Sequence, residues 1–205
     1  MKVYQYESYE QYVANQTRAN KRKIKNVWVH QTTMAAIVNW YTREHKTPPT
    51  KILCHGTRNG AEQHFFERHS KVSIEVLGTE ISETATQFPK TIRWDFTWQK
   101  PEWVGYWDIV YSNSFDHTPL PTETICTWRD QIKDDGLLVI DHSVWNKKSN
   151  NKPDSIDCLD ISFEELESLI TMNNMEIITR KPFRTNNDQL NKVCDSWFYF
   201  IRKRL

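Results

Sequence analysis

Two acid–imidazole pairs, Asp116-His117 and Asp141-His142, each follow or close an apolar, strand-like run, at residues 107–112 and 137–141. An imidazole titrates near pH ~6.5, and a neighbouring carboxylate can orient its ring and stabilise the charged form, so such a pair can take a proton from a hydroxyl. His117 is the stronger candidate base, with Asp116 or Asp141 as its partner; His142 follows a fully apolar strand and reads equally well as filling a loop. A third apolar run, residues 51–54, breaks into His55-Gly56-Thr57-Arg58-Asn59-Gly60, and a fourth ends in Gly78-Thr79-Glu80-Ile81. A glycine-spaced turn between strand and helix, followed about 20 positions later by an acid, lets the backbone approach a nucleotide-like ligand while the carboxylate accepts from its ribose diol. Asp95 ends a further strand inside Ile92-Arg93-Trp94-Asp95-Phe96. Its carboxylate can accept from an exocyclic amine while Phe96 or Trp94 packs on the ring. The two acid–imidazole pairs would also permit a divalent ion, but no ligand spacing inside one element specifies a metal, and none is expected.

These residues need a scaffold that alternates strand and helix, and the apolar periods supply one. Strands are predicted at 51–54, 72–79, 91–95, 107–112, 137–141, 176–179 and 196–201. Helices are predicted at 60–68, 82–87, 122–133 and after Ser162-Phe163-Glu164-Glu165, whose spacing is that of a capping box. Ile24, Val27, Trp28, Gln31, Met34, Ala35, Val38 and Tyr41 recur at three-to-four spacing, so the first fifty residues read as helical until Pro48-Pro49. Strands alternating with helices imply a parallel sheet covered on both faces. The polar stretch 184–191 is too short for a crossover helix, so the last strand is predicted to run antiparallel. Residues 149–152 read as the most flexible loop.

In this order, the loop at 55–60, Glu80, Asp95, the loop Asn113-Ser114-Phe115-Asp116-His117 and the final antiparallel strand resemble the class I S-adenosylmethionine-dependent methyltransferases, over about residues 50–203. The resemblance implies a Rossmann-like three-layer α/β/α sandwich. Its seven-stranded, mostly parallel sheet has the order 3-2-1-4-5-7-6 with strand 7 antiparallel, preceded by N-terminal helices. Residues 1–49 would form a helical cap and 50–205 the cofactor-binding core of a single domain. It also implies S-adenosylmethionine as cofactor and S-adenosylhomocysteine as product. His55, Gly56, Thr57, Arg58, Asn59 and Gly60 would meet the methionine part, Glu80 and Ile81 the ribose, Asp95 and Phe96 the adenine. Asn113 and Ser114 would lie by the transferring methyl, with His117 and Asp116 catalytic. The chain departs from the family's glycine loop twice: Cys54 stands at the usual acidic position and Arg58 at the middle glycine. Arg58 is suited to pair with the methionine carboxylate.

Bulk composition narrows the acceptor. Twenty-seven Lys and Arg against 26 Asp and Glu leave no field that would recruit a polyanion, and no Asn/Asp-Pro-Pro-Tyr motif is present, so no large nucleic-acid footprint is expected. Four cysteines without metal or redox spacing, no signal-peptide core and no apolar run of about 18–20 residues point to a cytoplasmic protein with reduced thiols and no membrane span. Trp28, Trp98, Trp103, Trp107 and Trp145 are candidates to floor a small-molecule pocket, for a saccharide or an aromatic hydroxyl that receives the methyl on oxygen. Composition does not set the oligomeric state. Two rivals fit the same sheet: an NAD-dependent oxidoreductase, though the third glycine at Gly-x-Gly-x-x-Gly spacing is missing, and a catalytically inactive methyltransferase-like partner subunit.

Overall fold

A computed structural model describes residues 1–143, 157–187 and 192–204, with side chains for all of these except 187 and 192–195. In chain order the elements are β1 (Lys2–Val3), α1 (Tyr9–Arg22), α2 (Gln31–His45), β2 (Lys51–His55), α3 (Ala61–His69), β3 (Glu75–Glu80) and β4 (Thr91–Arg93). There follow β5 (Trp107–Ser112), α4 (Pro121–Gln131), β6 (Ile132–His142), β7 (Leu159–Asp160), α5 (Phe163–Met172), β8 (Met175–Asn187) and β9 (Lys192–Lys203). Seven strands form one sheet in the order β4-β3-β2-β5-β6-β9-β8. Pairing is parallel from β4 to β6, and β9 runs antiparallel to both of its neighbours. Counted within the sheet this is 3-2-1-4-5-7-6, as expected.

The sheet is buried on both faces because its central strands β2, β5, β6 and β9 carry continuous apolar runs, and the two-residue period divides these between two cores. Leu53, Val110, Leu138, Ile140, Tyr199 and Ile201 face α4 and α5, packing with Ile125, Trp128, Leu166 and Ile170. Cys54, Ile109, Tyr111, Val139, Phe198 and Phe200 face the other way, onto Met34, Ile37, Val38 and Tyr41 of α2 and Phe66 of α3. Each such apolar side chain contributes about 1.5–3 kcal/mol when fully buried. Ser162 caps α5 as predicted: its hydroxyl accepts from the Glu165 amide at 3.2 Å, and the Glu165 carboxylate accepts from the Ser162 amide at 2.9 Å.

The N-terminal fifty residues are not the uninterrupted helical segment expected. Residues 24–30 run out of helix between α1 and α2, because the β8 hairpin takes their backbone. The Trp28 carbonyl accepts from the Asn186 amide at 2.6 Å and from the Thr185 hydroxyl at 2.7 Å, and Val29 bridges to Thr185. The same bonds hold β8 in strand conformation through polar residues that read as a loop. Helix α2 is one of the layers of the sandwich, while α1 lies over the strand tips, so the two N-terminal helices do different work. A short pairing of β1 with β7 was not foreseen. The helix predicted at 122–133 ends at Gln131, since Ile132 already pairs with Trp107. Residues 149–152 and Trp145 lie outside the described residues. Among those described, no helix is long and apolar enough to cross a membrane.

Candidate functional site

Strands β2 and β5 are neighbours whose following helices lead to opposite halves of the sheet, which opens a crevice at their carboxyl ends. Three features of the chain converge there. After β2, Gly56 adopts a φ of +70°, and a Cβ on it would stand 2.6 Å from the Cβ and Oγ of Ser114, the loop residue after β5. Only glycine admits that approach. Arg58 also takes a left-handed backbone (φ 46°), which turns its amide toward the Glu80 carboxylate at 3.2 Å. The other Glu80 oxygen accepts from the Ser82 amide at 2.9 Å. Burial raises the Glu80 pKa against these donors.

A small cavity of about 60 Å³ marks the place. From the strand tips it is lined by Gly56, Arg58, Glu80, Ile81, Asp95, Phe96, Ser114 and His117, and from α1 by Tyr12, Gln16, Ala19 and Asn20. Helix α1 starts at a Ser8 cap whose hydroxyl accepts from the Gln11 amide, and polar contacts hold it down. The Tyr9 hydroxyl donates to Asp95 at 3.0 Å, Gln16 Oε1 meets His117 Nδ1 at 2.8 Å, and the Thr84 hydroxyl donates to Asn20 at 2.8 Å. The second Asp95 oxygen accepts from the Thr97 amide at 2.9 Å.

The Gln16 contact fixes the His117 tautomer. With the Gln16 amide oxygen as acceptor, the neutral ring carries its proton on Nδ1 and leaves Nε2 unprotonated. Nε2 lies 3.7 Å from Asp116 and 3.5 Å from Asp157. Burial lowers the His117 pKa, with the Asp157 charge opposing, and burial holds Asp116 well above the usual carboxylate range. Nδ1 is oriented by Gln16, where Asp116 or Asp141 was expected to do so. The ligand atoms of Asp116, His117 and Asp157 all lie within 4.8 Å of one another, close enough to share a metal ion, although residue spacing gave no such set.

Not every candidate reaches the cavity. His55 is fully buried with its ring stacked on Trp128 at 5.1 Å. Its nitrogens bond Thr79 and Gln131, and burial lowers its pKa to about 4, so its side chain belongs to the core. The Thr57 hydroxyl takes part in packing by accepting from Gln63. Asn59 binds the carbonyls of Ile24 and Asn26, and Gly60 serves as the left-handed cap of α3. Asn113 donates to Glu62 at 3.1 Å. Phe96 lines the cavity, whereas Trp94, its alternative, lines a separate hollow on the outer side of α1. Asp141 accepts from the Trp28 indole at 3.0 Å and from the Ser196 hydroxyl, and His142 is buried edge-on to Phe163. Trp103 and Trp107 are core residues, and Trp98 is exposed. A helical cap over the site was expected of residues 1–49, but its lining residues were not named; their signal was the spacing of Tyr12, Gln16, Ala19 and Asn20, which are i, i+4, i+7 and i+8 on one helix face.

No protein-family model and no curated protein matches the chain. Solved structures do. The 1,6-didemethyltoxoflavin-N1-methyltransferase of Burkholderia thailandensis, with bound 1,6-didemethyltoxoflavin and S-adenosylhomocysteine, has a TM-score of 0.69 at 11% identity, over 98% of this chain and 92% of that one. The plantazolicin methyltransferase BpumL, in complex with a triazolic desmethylPZN analog and SAH, has a TM-score of 0.64 at 13% identity, over 96% and 98%. The [4+2]-cyclase SpnF has a TM-score of 0.54 at 15% identity, over 72% and 59%. The chain therefore has the Rossmann-like fold of the class I S-adenosylmethionine-dependent methyltransferases. A cyclase shares that fold, so the reaction must be argued from the site.

Proposed function

We propose that this protein is an S-adenosylmethionine-dependent methyltransferase that methylates a small molecule on oxygen, a saccharide or an aromatic hydroxyl being the acceptor class. One observation carries the reading. Two buried carboxylates, Glu80 and Asp95, each held by a backbone amide, line the same cavity as the glycine turn at Gly56 and the imidazole of His117. Carboxylates preset in this way can accept from a ribose diol and an adenine amine, Phe96 can pack on the base, and the Gly56 backbone admits the atoms between them. Arg58 is the cation placed for the methionine carboxylate.

When bound, the cofactor supplies an electrophilic methyl group on a sulfonium. The protein's part is to align the acceptor with it, exclude water and remove the acceptor's proton. Basic Nε2 of His117 serves as the proton acceptor, and Asp157 stabilises the resulting imidazolium. The cavity is far below the roughly 300–1,000 Å³ of ordinary ligand sites, so α1 must move outward to admit a nucleoside. The Asp116–His117–Asp157 cluster favours one second reading, in which a divalent ion polarises the acceptor oxygen in place of the base.

Calorimetry with S-adenosylhomocysteine and NAD tests the cofactor. Micromolar binding of S-adenosylhomocysteine is expected. Tight NAD binding alone would make the protein an oxidoreductase, and no binding of either would make it an inactive partner subunit.

A further inference from the structure

Cys54 stands where an acid was expected and is buried among apolar side chains on one sheet face. An acid is nevertheless present at the crevice. Glu62 lies in the first turn of α3, immediately behind the glycine turn, and is 5% exposed. One of its oxygens accepts from the Asn113 amide at 3.1 Å, which ties it to the first residue after β5. Glu62 and Asn113 thus bridge the two strand ends that bound the crevice, and Asn113 connects onward through the Ser114 hydroxyl to the Gly56 carbonyl. The other Glu62 oxygen is buried and, among the described residues, has no hydrogen-bond partner. A carboxylate oxygen cut off from water and given no donor is destabilising unless something else supplies one. The Glu62 charge helps to hold the Cys54 thiol high, and Arg58 and Glu80, both lining the cavity, bear on the charge of Glu62.

We propose that Glu62 makes the contact the strand has lost: its unpartnered oxygen receives the primary ammonium of the cofactor's methionine tail. An ammonium brings three donors to a carboxylate with free lone pairs. Arg58, whose guanidinium donates to the Asn26 carbonyl at 3.2 Å, is left for the tail's carboxylate. The two ends of the zwitterion are then read by an acid from helix α3 and a base from the glycine turn. This assignment rests on the cofactor reading above. Burial raises the Glu62 pKa to about 7, so an arriving ammonium displaces a proton that the ligand-free protein holds around neutral pH.

The test compares S-adenosylhomocysteine with 5′-methylthioadenosine, which lacks the amino-acid tail, on the wild type and on Glu62→Gln, an isosteric change. The variant is expected to weaken S-adenosylhomocysteine by roughly 10- to 100-fold, the range of a lost charge-assisted hydrogen bond, and to leave 5′-methylthioadenosine within about twofold. Calorimetry near pH 7 in two buffers of different ionisation enthalpy should show proton release by the wild type with S-adenosylhomocysteine and none with 5′-methylthioadenosine. Unchanged S-adenosylhomocysteine affinity in the variant, or an equal loss for both ligands, overturns the assignment and leaves the cofactor reading standing. A wild type that binds neither ligand overturns both.

Discussion

Glu80 and His117 line one cavity and have separable tasks. Glu80 already accepts from two backbone amides, so its carboxylate is fixed before any ligand arrives, and a ribose diol would meet its remaining lone pairs. Glu80→Ala is expected to weaken S-adenosylhomocysteine binding by about 1–3 kcal/mol, the cost of losing a charged acceptor. His117 touches the cavity through a ring whose Nδ1 is held by Gln16. His117→Ala is expected to leave cofactor affinity unchanged and to lower turnover about 100-fold or more. The pair is checked by measuring affinity and turnover on both variants. Equal affinity losses in the two would mean that neither task is as assigned. The placement of Gly56, Glu80 and Asp95 at one cavity was legible in the sequence because it follows from a strand ending and a backbone conformation, which spacing encodes. His55 was not, since a histidine at a strand tip can face a ligand or a core with equal ease; here Trp128, Thr79 and Gln131 draw it inward.

The elements divide in the same manner. The strands with apolar runs and the capped helix α5 follow from local pattern, and the antiparallel β9 follows from the shortness of its connection. What local pattern did not carry is α1, whose buried face includes Asn15, Gln16 and Asn20. An amphipathic search looks for apolar stripes, and a helix roofing a polar site has a mixed one. The stretch 24–30 misled for a related reason: its periodic apolar residues continue the pattern of α2, while tertiary bonds from Thr185 and Asn186 hold it extended. Because α1 is held by a few polar contacts over a cavity of about 60 Å³, admitting a nucleoside requires it to lift and re-seat. Amide hydrogen exchange in α1 is therefore expected to slow on addition of S-adenosylhomocysteine, with α4, which packs into the sheet core through Ile125 and Trp128, changing little. Protection confined to α4 or absent from α1 would remove α1 from the binding event.

At the scale of the whole molecule, the fold puts five of the six buried acids among the described residues at one end, Asp108 at the start of β5 being the exception. Glu62, Glu80, Asp95, Asp116 and Asp141 all lie at or just beyond the carboxyl ends of the strands or in the first turn beyond them, and burial raises the pKa of Glu62, Glu80, Asp116 and Asp141. A sheet buried on both faces offers its chemistry at its edges and tips, and the topological switch between β2 and β5 selects which tip. The sequence made that end legible through two glycines and two acids. The counterweights from α1 and α3 became visible only when the chain closed over them. A nucleoside cofactor placed across these tips beneath α1 would be seen in a crystal structure grown with S-adenosylhomocysteine. Ribose hydroxyls within hydrogen-bond reach of Glu80, the base against Phe96 and Asp95, and α1 displaced outward are the expected result. Ligand density elsewhere on the protein, with Glu80 unchanged and α1 still seated, would contradict it.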